Sequence, residues 1–140
     1  MAEEKKPKIV LGTGKRKTSV ARTSIKEGSG KVTINDVLID LYQPEYARLK
    51  IREALLLAGD LAKKVDIKVK ARGGGTVSQS DAIRQSIAKG LVEFFKDENL
   101  KKAYQEYDRN FLVYDYRRTE PHKPSRSRKG ARRYTQRSKR

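Results

Sequence analysis

The last 24 residues, Arg117 to Arg140, most limit what this 140-residue chain can fold into. They run RRTEPHKPSRSRKGARRYTQRSKR, with eight Arg, three Lys and one acid, Glu120. They hold +10 of the chain's formal net charge of +17, and offer only Ala131 and Tyr134 for burial. Ordering a backbone costs roughly 1–2 kcal/mol per residue. A like-charged segment with so little apolar surface cannot offset that cost. Residues 117–140 are therefore expected to be an extended basic tail, shaped by a polyanion. Guanidinium groups fork onto phosphates and stack on bases, where ammonium groups act as point charges. The interleaved Gly and Ser allow close approach, and Tyr134 offers a ring for stacking. Nothing in the chain suggests a major-groove helix, so RNA is favoured over DNA.

Composition removes several function classes. The absence of Cys excludes a disulfide framework and a thiolate metal site. The single His, His122, sits in the tail, which leaves no basis for a His metal cluster or a Ser-His-Asp triad. Asp36, Asp40, Asp60, Asp66, Asp81 and Asp108 are spread over expected caps, turns and strand faces, so no catalytic or metal site is expected. The longest apolar run, Ala54–Ala58, is far too short to span a bilayer, and the basic tail has no apolar face to insert. The expectation is a cytoplasmic protein with no cofactor, no small-molecule substrate and no membrane partner.

Residues 1–7 are expected to be a disordered leader, and residues 8–116 one globular domain. Lys8–Gly12 is expected to be a short strand, and Thr13–Lys17 a glycine-hinged loop. Thr18–Lys26 alternates with period two. The turn Glu27-Gly28-Ser29-Gly30 then predicts a hairpin with Lys31–Ile34. A tight turn at Asn35-Asp36 leads to Val37–Ile39. Pro44 is expected to open a helix carrying Ala47, Ile51, Ala54, Leu55 and Ala58 on one face, closed by Gly59. Val65–Arg72 alternates without a fault, with Val65, Ile67, Val69 and Ala71 inward. After Gly73-Gly74-Gly75, Ser78 and Asp81 fit a capping box for a helix running to about Lys96. Small Ser86 and Gly90 on its inner face suggest close approach to a sheet. A third helix spans Asp97–Tyr107, and Phe111–Tyr114 is a last strand or an anchoring plug. Tyr104, Tyr107, Tyr114 and Tyr116 fit core and rim better than a stacking platform. The order predicts an α+β fold, about four strands with helices on one face.

Two stretches besides the tail could meet phosphate. Gly12-Thr13-Gly14-Lys15-Arg16-Lys17 has the wrong spacing for a P-loop or a dinucleotide fingerprint. It is either a plain turn or an RNA contact through its three cations. Gly73-Gly74-Gly75, flanked by Arg72 and Arg84, leads into a helix N-terminus, whose free N–H groups suit an anion. The alternative is a tight turn that needs positive φ. Two rival readings are a free RNA chaperone or architectural protein, and a phosphate-handling enzyme that uses this glycine loop with Asp81.

The same residues carry a resemblance. Gly12 to Arg22 (GTGKRKTSVAR) is similar to the opening of the universal small-subunit ribosomal protein family numbered nine in bacteria. Gly73 to Arg84 (GGGTVSQSDAIR), continuing through Ala88-Lys89-Gly90-Leu91, resembles that family's long signature. Ser138-Lys139-Arg140 resembles its C-terminal ending. Tyr114 to Pro121 is closer to the archaeal and eukaryotic branch. Gln136 to Arg140 follows the bacterial form, without a penultimate aromatic. The resemblance implies a left-handed βαβ crossover and a place in the head of the small subunit, on ribosomal RNA and beside other head proteins. It implies rRNA contacts through Lys15, Arg16, Lys17, Arg22, Arg72, Gly73, Gly74, Gly75, Arg84, Arg117, Arg118, Arg126, Arg128, Lys129, Arg132, Arg133 and Arg137. It also implies that Ser138, Lys139 and Arg140 touch the tRNA in the P site.

Overall fold

The computed structural model describes residues 8–126 and residue 130. The expected leader, 1–7, and most of the tail lie outside the described residues.

Five strands form one mixed sheet: β1 (Val10–Arg16), β2 (Ser19–Glu27), β3 (Val32–Ile34), β4 (Val37–Leu38) and β5 (Val65–Arg72). Their order is β1-β2-β5-β3-β4. The fold is α+β, with one strand more than the alternation predicted. The extra strand is the two-residue β4, which pairs with β3 across Asn35-Asp36. Both turn residues have positive φ, 48° and 67°, as a two-residue hairpin demands.

Two expected local pairings are corrected. β2 and β3 do not form a hairpin, because β5 lies between them, antiparallel to β2 and parallel to β3. Asp66, at the start of β5, accepts the Ser29 and Lys31 backbone N–H groups and holds the β2–β3 connection open around it. Thr13–Lys17 is not a loop either. β1 continues to Arg16, and the turn is Lys17-Thr18, with Lys17 at φ 54°.

Helix α1 (Glu45–Ala58) buries Ala47, Ile51, Ala54 and Ala58, with Leu55 partly buried, and Gly59 ends it. Pro44 is its N-cap rather than its first residue. Helix α2 (Thr76–Phe95) starts earlier than the capping-box reading, at the N-cap Gly75 and without a side-chain cap. Ser78 lies inside the helix, so the backbone turn of the glycine loop, not a side chain, sets its start. Helix α3 (Glu98–Tyr107) is capped by Asp97, which accepts the Asn99 N–H. Phe111, in the 3-10 turn Arg109–Phe111, is the anchoring plug, fully buried and 5.1 Å from the Tyr104 ring.

α2 lies across β1, β2 and β5, with α1 and α3 packed beside it. Ala21, Thr23, Ile25, Val65, Ile67 and Val69 point into this layer and are buried. A Cβ on Gly12 would lie 2.9 Å from the Gly90 nitrogen, and one on Gly14 2.7 Å from the Ser86 nitrogen. Neither glycine has positive φ. They are glycines because the helix backbone occupies the space of a side chain. Thr23 and Ser86 share a buried hydrogen bond of 2.6 Å, and Ser86 donates to the Ile83 carbonyl. The one Ser86 proton is thereby used, so Thr23 is the donor between them.

Candidate nucleic-acid interface

The sequence-predicted cations of the body fall into two groups. Lys15, Lys17, Arg22 and Arg72 are exposed. Lys15 and Lys17 flank the tip of the β1–β2 hairpin. Arg72 pairs in register with Val20, and Arg22 stands two residues further along β2. The glycine loop packs against this tip. Gly73 and Gly74 have φ of 79° and 65°, the left-handed region that glycine adopts without strain. Ser19 Oγ donates to the Gly73 carbonyl at 2.9 Å, and Gln79 Nε2 donates to the same oxygen at 3.0 Å. The hairpin tip, the glycine loop and the α2 N-terminus therefore form one surface.

Arg16 and Arg84 are placed differently. Arg84 is 13% exposed, binds Glu53 at 2.8 Å and Asp108 at 2.9 Å, and lies 4.7 Å from the centre of the Phe111 ring. Arg16 meets Asp115, while Lys50 binds Asp81 at 2.7 Å. Arg16, Lys50, Asp81, Arg84 and Asp115 line a polar cleft of about 200 Å³ between the body and the start of the tail. Asp81 and Asp108 are thus gathered with Glu53 and Asp115 around cations, contrary to the scatter expected from the sequence. The acids serve as counterions. Among the described residues no cluster of acids, His or Cys is arranged to hold a metal ion.

The tail starts from a fixed root. Gln85 is buried; it accepts the Lys15 N–H at 3.0 Å and donates to the carbonyls of Asn110 and Val113. Tyr114 OH meets Thr13 Oγ1 at 2.8 Å, and Lys89 Nζ sits 3.5 Å from the centre of the Tyr114 ring. Those contacts lower the Tyr114 pKa, the Thr13 hydrogen bond first and then Lys89. Hydrogen bonds from the Arg117 side chain and then its backbone N–H, with Arg16 nearby, hold the Asp115 carboxyl far below its ordinary range. Arg118 reaches the Lys17 carbonyl. Residues 114–118 therefore run beside edge strand β1 toward the hairpin tip.

Tyr104 is core, with its hydroxyl donating to the Ala54 carbonyl at 2.7 Å, and Tyr116 is exposed. Arg117, Arg118 and Arg126 are exposed. Arg128, Lys129, Arg132, Arg133, Arg137, Ser138, Lys139 and Arg140 lie outside the described residues. Gln85 and Asp115 were missed from sequence. A lone acid at 115, just before a run of cations, was the available signal.

The family model described as ribosomal protein S9/S16 matches residues 14–140. The chain belongs to this family. A relative named small ribosomal subunit protein uS9 from Desulfurococcus amylolyticus is 55% identical over 118 residues, 84% of either chain. Its namesakes from Methanococcus vannielii and Methanococcus maripaludis are 47% identical over 131 residues, 94% of this chain and 98% of theirs. These relatives are archaeal, in line with the branch that Tyr114 to Pro121 resembles. Family membership makes the chain a structural ribosomal protein, not an enzyme.

Proposed function

We propose that this protein is a structural constituent of the cytoplasmic small ribosomal subunit. It holds rRNA of the subunit head through the hairpin tip, the glycine loop and the tail, beside neighbouring head proteins. It touches the P-site tRNA with Ser138, Lys139 and Arg140. The observation that carries this reading is the convergence at one end of the body. Lys15, Lys17 and Arg72, the Gly73–Gly75 loop and the exit of the tail meet there, and the root is tied down by Gln85, Phe111 and Asp115. Arg16 and Arg84 act behind this surface, as counterions that shape it.

Displacing counterions from phosphates makes such binding steeply salt-dependent, and phosphate contacts position RNA without reading its sequence. The test is sedimentation of the tagged protein with small subunits, followed by crosslinking from residues 138–140. Cosedimentation with a tRNA crosslink is expected. A protein found mainly off the subunit peak would instead favour a free RNA chaperone, and crosslinks to rRNA alone would remove the tRNA assignment.

A further inference from the structure

Phe111-Leu112-Val113-Tyr114 has the residue types of a strand, and β1 is an edge strand beside it. Yet the two do not pair. Lys15, opposite Val20 in the register, turns its N–H away from β2, toward the place of a sixth strand. That N–H goes instead to Gln85 Oε1 at 3.0 Å. From the same amide, Nε2 donates to the Val113 carbonyl at 2.8 Å and to the Asn110 carbonyl at 3.2 Å. The amide thus stands between a strand N–H and a root carbonyl, groups that a sheet would join directly. Among the described residues no backbone–backbone hydrogen bond links residues 113–118 to β1. Side chains make the links: Gln85, the Thr13–Tyr114 hydroxyl pair, Arg16 with Asp115, and Arg118 on the Lys17 carbonyl.

Gln85 projects from α2 and is only 4% exposed. Burying an amide is costly unless its polar atoms are paired, and here the oxygen and the NH₂ group both are. A Leu or Met of similar size would fill the space without that demand. It would also leave the Lys15 N–H and the two carbonyls to find each other. We infer that Gln85 is a positioning residue for the tail: its amide holds the root off the edge of β1 and so fixes the line on which residues 114–118 leave the body. The inference rests on the ribosomal reading above and adds to it the residue that aims the tail.

The spacing is visible in the structure. Paired directly, root and edge strand would close to about 4.8 Å. Instead the polar cleft lies between them, with Lys15 and Arg16 on one side, Asn110, Asp115 and Arg117 on the other, and Gln85 in its lining. Anchorage is a separate matter. Phe111 secures the segment by burial, before the chain reaches Val113. Gln85 acts at Val113 itself, just ahead of Tyr114, and ties that point to β1. The root is therefore set relative to the hairpin tip, not merely attached to the core.

The chain has no Cys, so two spin labels can be placed in the full-length protein without competing thiols. Tyr116→Cys puts one in the root and Lys102→Cys the other on α3, both at exposed positions. With Gln85 present, one narrow distance distribution is expected. Gln85→Met keeps the size and removes the amide. It should shift the distribution by about 3 Å, since direct pairing takes one hydrogen-bond length out of the bridge, or broaden it by as much. An unmoved, equally narrow distribution overturns the inference, even beside a lowered melting temperature, because Gln85 would then serve packing only. Should Gln85→Met misfold, proton exchange in the unaltered protein decides. The Gln85 side-chain amide should exchange more than about tenfold slower than that of exposed Gln105. Equal rates overturn the inference. Cosedimentation separates the two readings. A root that moves in Gln85→Met, in a protein that joins the small subunit, supports both. An unmoved root in a protein that joins the subunit removes the positioning role alone. A protein that stays off the subunit, with a root that moves, removes the ribosomal role instead.

Discussion

The two faces of the sheet are built from alternate residues of the same strands and have opposite tolerances. The covered face is filled to the point where Gly12 and Gly14 touch helix backbone and the hydroxyls of Thr23 and Ser86 must bond each other. The bare face collects lysines and arginines whose like charges meet in register. Stability therefore resides in one set of residues, and the positive charge in their immediate neighbours.

Substitutions on the two faces should expose that division. Ile67→Ala is expected to cost about 2–5 kcal/mol, because Ile67 is buried and a cavity would remain. Gly14→Ala should come next, at about 1–3 kcal/mol, since the new methyl group meets α2 backbone that cannot move aside. Thr23→Val should cost about 1 kcal/mol by removing one buried donor. Lys70→Ala should fall within about 0.5 kcal/mol of wild type. Urea denaturation at neutral pH measures all four. A Lys70→Ala loss as large as that of Ile67→Ala would erase the distinction between the faces.

The smallest effect is one of pH. The Asp66 carboxyl is held below its ordinary value, chiefly by the Lys31 N–H and then by the Ser29 N–H. The unfolded chain therefore takes up that proton first as the pH falls. The contribution is whole above the unfolded value, about 3.9, and fades as pH drops from there through the lower folded value. Asp66→Asn should flatten the acid limb of a stability profile recorded from pH 6 to pH 2. An unaltered limb would show that Asp66 does not organise the β2–β3 connection.

Features set by near neighbours were legible in the sequence. The alternation of Val65–Arg72, the Asn35-Asp36 turn and the closing of α1 at Gly59 all depend on adjacent residues. Partners distant in the chain account for the misreadings. Gly12 and Gly14 resemble a hinge until α2, some seventy residues on, is seen against them. The apparent β2–β3 hairpin yields to β5, whose pairing with both strands has no local signature. In the candidate site the cationic hairpin tip was plain. Arg84 was not separable from the exposed cations, because its counterions Glu53 and Asp108 lie 31 and 24 positions away. Lys68 and Lys70 were legible as outward, but the pairing of Lys70 with Arg22 follows only from the register.

The close seat of β1 against α2 also acts as a keyway. Moving β1 by one position would drive the side chain of Thr13 into helix backbone that admits only hydrogen, so the strand cannot creep along its partner. The hairpin tip is thereby held at a set distance from the root of the tail, and any polyanion gripping both must conform to that spacing.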